Sequence, residues 1–184
     1  MPDNNSQIKK FNPALISLHW LMLILIIGSY VTMELNEFYP EDSAAQLALK
    51  STHFSLGISI LLLVIVRVLV RLVTKAPPII PTPGARQVLL AKLMHVALYV
   101  FMFGMPLVGW LMVNAHGYPV SFWGITQIPT LIGENKAINH FLHEAHEIGG
   151  NLGYLLIGLH AAAGLFHHYK LKDNTLLRMS FLKK

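Results

Sequence analysis

His146 and His160 stand 14 residues apart in the last apolar stretch of the chain. On a helix that spacing is about 21 Å of rise and about 40° of net rotation, so both rings share one face at two depths. Imidazole is a good ligand for iron, whereas an unpaired polar ring inside lipid is costly. Two stacked haems in a membrane would make this demand of one helix.

Bis-imidazole ligation of two b-type haems needs four histidines, arranged as two cross-helix pairs. His19 lies near the start of the first apolar segment, and His53 opens the second from the opposite side. Depth then pairs His53 with His146 at one level and His19 with His160 at the other. The remaining histidines fit less well. His143 and His140 are about 100° and about 160° out of phase with His160, and pairing His167 or His168 with His146 needs more than about 31 Å, the whole hydrocarbon thickness. His95, His140, His143, His167 and His168 sit at span ends, where an interfacial or hydrogen-bonded role is expected.

Gly57, Gly150 and Gly164 follow His53, His146 and His160 by one helical turn, where a missing side chain leaves room for a flat macrocycle; His19 has Leu23 instead. Close helix packing is the competing reading of these glycines. Arg67 follows His53 by 14 residues, and its guanidinium fork suits a haem propionate or a quinone carbonyl. Arg71, nearer the span end, is expected to snorkel to the headgroups. A zinc site at His140, His143 and His146 is disfavoured, since these positions spread around a helix and lack the His-Glu-x-x-His spacing.

The composition supplies the elements that must hold these side chains. The chain is 54% hydrophobic and only 12% charged, against about 25% charged in soluble domains. Four segments, residues 16–33, 54–73, 93–113 and 148–169, approach the roughly 20 apolar residues that cross a bilayer. They predict an all-α integral membrane protein, a single four-span domain over residues 1–184 folded as an antiparallel four-helix bundle. Twelve of the 14 Lys and Arg fall on the side of the termini, Lys183 and Lys184 included, and of the middle loop, leaving Lys50 and Lys136 opposite. Both termini are therefore expected in the cytoplasm. The opposite side is acidic, with Glu34, Glu37, Glu41, Asp42, Glu134, Glu144 and Glu147.

The net charge of +5 is explained by this topology, and no basic stripe with base-stacking aromatics points to nucleic acid. The polar opening over residues 1–6 and the lack of an Ala-x-Ala site predict a retained first span. The chain has no cysteine, which excludes disulfides, thiolate-ligated haem, covalently attached c-type haem and Cys-ligated iron–sulfur clusters. The Pro-rich stretch over residues 76–84 reads as a stiff connector.

Five blocks carry a likeness to a known family: Ile16-Ser17-Leu18-His19-Trp20, residues 53–61 from His53, residues 66–72 around Arg67 and Arg71, Pro77-Pro78-Ile79-Ile80-Pro81, and residues 151–163 ending His160-Ala161-Ala162-Ala163. The motifs His167-His168-Tyr169 and Lys172-Asp173-Asn174-Thr175-Leu176-Leu177-Arg178-Met179 follow. Together they resemble the bacterial cytochrome b561 family of small diheme membrane cytochromes, some of which act as superoxide oxidases. The resemblance implies a bacterial inner-membrane protein with two haem b, ligated by His19, His53, His146 and His160, that passes electrons between an outer donor and the quinone pool. In the superoxide oxidase branch, superoxide is oxidised outside and ubiquinone is reduced. The position of His167 in the family motif implies proximity to a quinone, and His95 and Arg67 are further candidates there.

The acidic loop over residues 34–42 departs from that picture, because capture of an anion is helped by a positive field. Two other readings stay open. One is a membrane anchor passing electrons from a hydrogenase or dehydrogenase partner to quinone. The other is a non-redox divalent-metal carrier using the His-rich rim, although intramembrane carboxylates for an ion path are lacking.

Overall fold

The computed structural model describes residues 8–181. Lys183, Lys184 and the polar opening over residues 1–6 lie outside them. Four long helices, α1 (Pro13–Asn36), α2 (Ala44–Val73), α3 (Ala85–Ala115) and α4 (Lys136–Phe166), form the bundle, and each is long and apolar enough to cross a membrane. Local chemistry sets where they start. Pro13 occupies the first turn of α1 behind Asn12, whose Oδ1 accepts the Ala14 N–H at 2.9 Å. Ser43 and Asn135 cap α2 and α4 through the N–H groups of Gln46 and Ile138.

The helices overrun the apolar segments at both ends, because polar residues continue a helix into the headgroup layer. His53 consequently lies well inside α2, not at its opening. The stretch between α3 and α4 is also structured. Strands β1 (Val120–Phe122) and β2 (Thr126–Ile128) form an antiparallel hairpin in which Val120 pairs with Ile128. Its tip folds back on α2, where the Trp123 N–H and indole Nε1 donate to Ser55 and Ser59 Oγ at 2.9 and 3.2 Å.

Packing is uneven around the bundle. α1 lies against α2, α2 against α3 and α3 against α4. Met22, Ile60, Leu61 and Val64 form a buried core that Leu25, Tyr99, Met102 and Leu107 complete. Elsewhere the helices present apolar side chains outward, Ile24, Leu69, Val100 and Leu155 among them, as a lipid-facing surface requires. α4 meets α1 and α2 mainly through long side chains: Tyr30 Oη donates to the Gly150 carbonyl at 2.8 Å, the Tyr30 and Tyr154 rings lie 4.3 Å apart, and Tyr154 Oη donates to Glu34 at 2.5 Å. The seam between α4 and the α1–α2 pair is where both histidine pairs lie.

Both ends of the described chain close the same, basal, end of the bundle. The Phe11 N–H donates to the Arg178 carbonyl at 3.1 Å, and the Trp20 indole donates to the Met179 carbonyl at 2.8 Å. The connector over residues 74–84 is tied in by Asn174, which accepts the Ile80 N–H at 2.9 Å and returns its own N–H to the Ile80 carbonyl at 3.1 Å. Arg178 donates to the Pro77 carbonyl and lies over the Phe11 ring. Two prolines and a proline-flanked isoleucine have few internal partners of their own, so the C-terminal tail supplies them.

Candidate haem-binding seam

Two histidine pairs span the seam at two depths. The His53 and His146 ring centres are 6.0 Å apart with planes at 85°, and those of His19 and His160 are 6.2 Å apart at 73°. An imidazole nitrogen binds a transition metal at about 2.0–2.1 Å and lies about 1.2 Å from its ring centre, so two rings on opposite sides of one metal are centred about 6.4 Å apart. Each pair matches that separation.

Support from neighbouring groups favours ligation further. His53 Nδ1 lies 3.0 Å from the Ser29 carbonyl. A carbonyl only accepts, so Nδ1 carries the proton and Nε2 keeps a bare lone pair, the form that binds metal. Ser29 Oγ lies 3.1 Å from the same nitrogen. Beside His146, Gly109 of α3 is so close that a Cβ there would stand 3.0 Å from Cε1. At Gly57, Gly150 and Gly164 the reverse holds, since a Cβ would meet nothing within 4 Å. The same holds at Gly104 and Gly158, which follow no proposed ligand, so the clearance leaves room for a flat macrocycle without singling it out. The donor set, the ring spacing and this clearance all fit a b-type haem at each level.

His95 of α3 also reaches the basal level, with its ring centre 5.6 Å from that of His160. It is exposed, and its Nδ1 donates to the Ala91 carbonyl at 2.5 Å. His19, by contrast, is half-buried between Trp20, 5.3 Å away, and His160. The 6.2 Å spacing and the burial both favour His19 as the partner of His160. Arg67 lies at the same level, and its Nη1 donates to the Leu15 carbonyl at 2.9 Å, one turn before His19. Arg71 instead turns to the Thr74 carbonyl at the helix end.

Beyond His160 the helix widens into a π-turn, His167–Leu171, and ends on Lys172 in the left-handed conformation at φ 54°. That reversal places Asp173 against His167, whose Nδ1 donates to Oδ2 at 2.5 Å. Asp173 Oδ1 accepts the Thr175 N–H at 2.8 Å. Burial pushes the Asp173 carboxyl up, but the hydrogen bonds from His167 and Thr175 outweigh it and hold the group below its ordinary value. An apolar cavity of about 380 Å³, lined by Trp20, Leu176, Ser180 and Phe181, opens at this end. Ser29, Gly109 and Asp173 were not singled out as site residues from sequence. Only Asp173 left a signal there, as part of a motif, since the other two act across helix interfaces. His140 lies 3.9 Å from Glu144 on the exposed face of α4.

Comparison with known proteins gives a consistent result. Residues 10–181 match the family described as prokaryotic cytochrome b561. The chain is 37% identical to cytochrome b561 homolog 1 of Escherichia coli K12 over 172 residues, 94% of this chain and 97% of that protein. It is 38% identical to the probable superoxide oxidase CybB of Yersinia pestis, over 93% of this chain and 96% of the relative. Cytochrome b561 homolog 2 of Escherichia coli K12 is 28% identical over 167 residues.

Proposed function

Since the chain belongs to the prokaryotic cytochrome b561 family and is a multi-pass membrane b-type cytochrome, we propose that it carries single electrons across the bilayer between two haem b. In this reading His53 and His146 hold the distal group, His19 and His160 the basal one, and both termini are cytoplasmic in a bacterial inner membrane. The observation that carries it is the pair of cross-helix ring spacings, 6.0 and 6.2 Å, at two depths of one seam.

Bound haem supplies one-electron redox chemistry at each level, with potentials set by ligands, burial and nearby charge. The chain does the rest. The Ser29 carbonyl fixes the His53 tautomer, and the glycines clear the faces beside the ligands. Arg67 brings a permanent positive charge to the basal level, where it would steady a propionate or a quinone oxygen. The overall reaction favoured by the name of the Yersinia pestis relative is two superoxide plus one ubiquinone plus two protons giving two oxygen and one ubiquinol. Superoxide oxidation at the distal end needs no acid or base. Quinone reduction at the basal end needs protons, and His167, His95 and the apolar cavity beside Trp20 lie there. The acidic residues Glu34, Glu37, Glu41 and Asp42 repel an anion at the distal mouth. A different one-electron donor is therefore the second reading.

The test is a reduced-minus-oxidised optical spectrum of purified protein with haem counted per chain. Two b haems, with one lost in His146→Ala and one in His160→Ala, are expected. A colourless protein expressed with ample haem would sink the redox reading and restore the metal carrier. With haem in place, superoxide-driven ubiquinone reduction decides between the donors, and stoichiometric copurification with a larger catalytic subunit would favour the anchor role.

A further inference from the structure

His167 follows His160 by seven residues, about 10 Å along the axis and about 20° in rotation, so it continues the face of α4 that meets His19. The π-turn and the left-handed Lys172 then return the chain so that a buried carboxylate, 5% exposed, reaches this one imidazole. Asp173 has two further ties holding it there: its N–H donates to the His167 carbonyl at 3.2 Å, and Oδ1 accepts from Thr175. π-turns of this kind occur often at functional sites. A carboxylate bound to Nδ1–H leaves Nε2 as the working nitrogen and stabilises the ring when it takes a second proton.

We propose that Asp173 is a positioning residue that makes His167 the proton donor to quinone at the basal end. This rests on the reading of the basal end as the quinone-reducing end. In each proton transfer the Nε2–H bond of doubly protonated His167 breaks and an O–H bond forms on a quinone oxygen. Two electrons, delivered one at a time from a one-electron reductant at the distal end, and two protons convert quinone to quinol. Nδ1–H stays on Asp173 throughout, and Nε2 regains its proton from water at the basal end. Arg178, buried in the same tail, interacts electrostatically with Asp173 and favours its ionised form. The connector presents Pro77, Pro78 and Ile80, none of which titrates, and Lys10 of the N-terminal segment is held on the Ser180 carbonyl at 3.0 Å.

The tautomer is read directly from ¹⁵N spectra of histidine-labelled, haem-loaded protein, with His167→Gln assigning the signal. In its neutral form His167 of the wild type is expected to show protonated Nδ1 and bare Nε2, and that of Asp173→Asn a mixture. In stopped flow, reoxidation of the pre-reduced protein by a short-chain ubiquinone should slow about 10²-fold in Asp173→Asn, a general-acid effect. Asp173→Glu should recover part of the rate with unchanged b-haem spectra. A wild-type neutral His167 protonated at Nε2, or an Asp173→Asn protein with unaltered tautomer and reoxidation rate, overturns the role of Asp173 while leaving quinone reduction standing. Unchanged reoxidation in His167→Gln, with the expected tautomer present in the wild type, overturns the placement of the quinone and the proton delivery with it.

Discussion

Gly109 of α3 lies flush against the His146 ring, close enough that a methyl group would stand 3.0 Å from Cε1. That contact is tighter than packed atoms normally tolerate, so the ring must give way to any side chain placed there. Gly109→Ala is expected to displace His146 and to lower the distal haem content or shift its potential, with the basal haem unaffected. Redox titration with two resolved components checks this; an unchanged distal component would show that the seam yields freely.

Ser29 touches His53 twice, through its carbonyl and its hydroxyl. Only the carbonyl is obliged to accept, so it alone sets the tautomer. Ser29→Ala is therefore expected to keep both haems, with at most a small change in the distal potential. Loss of the distal haem in that variant would assign the orienting role to the hydroxyl instead.

Gly153 is the buried contact point of α4 with Tyr30 and Phe101, both of which a Cβ would overlap. Overpacking of this kind costs about 1–3 kcal/mol. Gly153→Val should lower the thermal midpoint of the haem-loaded protein by several degrees and loosen the seam, seen as faster haem release to an acceptor apoprotein. Wild-type stability in this variant would mean that α4 shifts without cost.

Asn174 gives the connector its hydrogen-bond partners at Ile80 and Pro78. Replacing it with Ala leaves the Ile80 N–H without its partner, a loss of about 1–3 kcal/mol. Hydrogen exchange at Ile80 should rise sharply in Asn174→Ala, while exchange in the α2 core around Val64 stays slow.

Asp173 is held below its ordinary carboxylate value, so the folded state binds its proton less readily than the unfolded chain. Its contribution to stability is present above the unfolded pKa of about 3.9 and disappears as pH falls through the lower folded value. The wild type should lose thermal stability across that acid window. Asp173→Asn should be less stable near neutrality and show a flatter acid limb, measured by thermal melts from pH 3 to 7.

Much of this protein could be read locally. Hydropathy alone set the four spans, because lipid offers no partner to a bare backbone and an apolar stretch of span length has few other solutions. Helical periodicity put His146 and His160 on one face at two depths, since rise and rotation per residue are properties of a single helix. Distances between helices are not local. The 6 Å ring separations, the approach of Gly109 to His146 and the Ser29 carbonyl on His53 depend on how α1 to α4 pack, which no single segment encodes. The hairpin at Val120–Ile128 was equally hidden, since its strands are three residues long and its tip is held by Ser55 and Ser59 of α2. Asp173 shows the same division most plainly: the motif was visible in sequence, but its meeting with His167 needed a π-turn and a left-handed Lys172 to bring a residue six positions away back onto the ring.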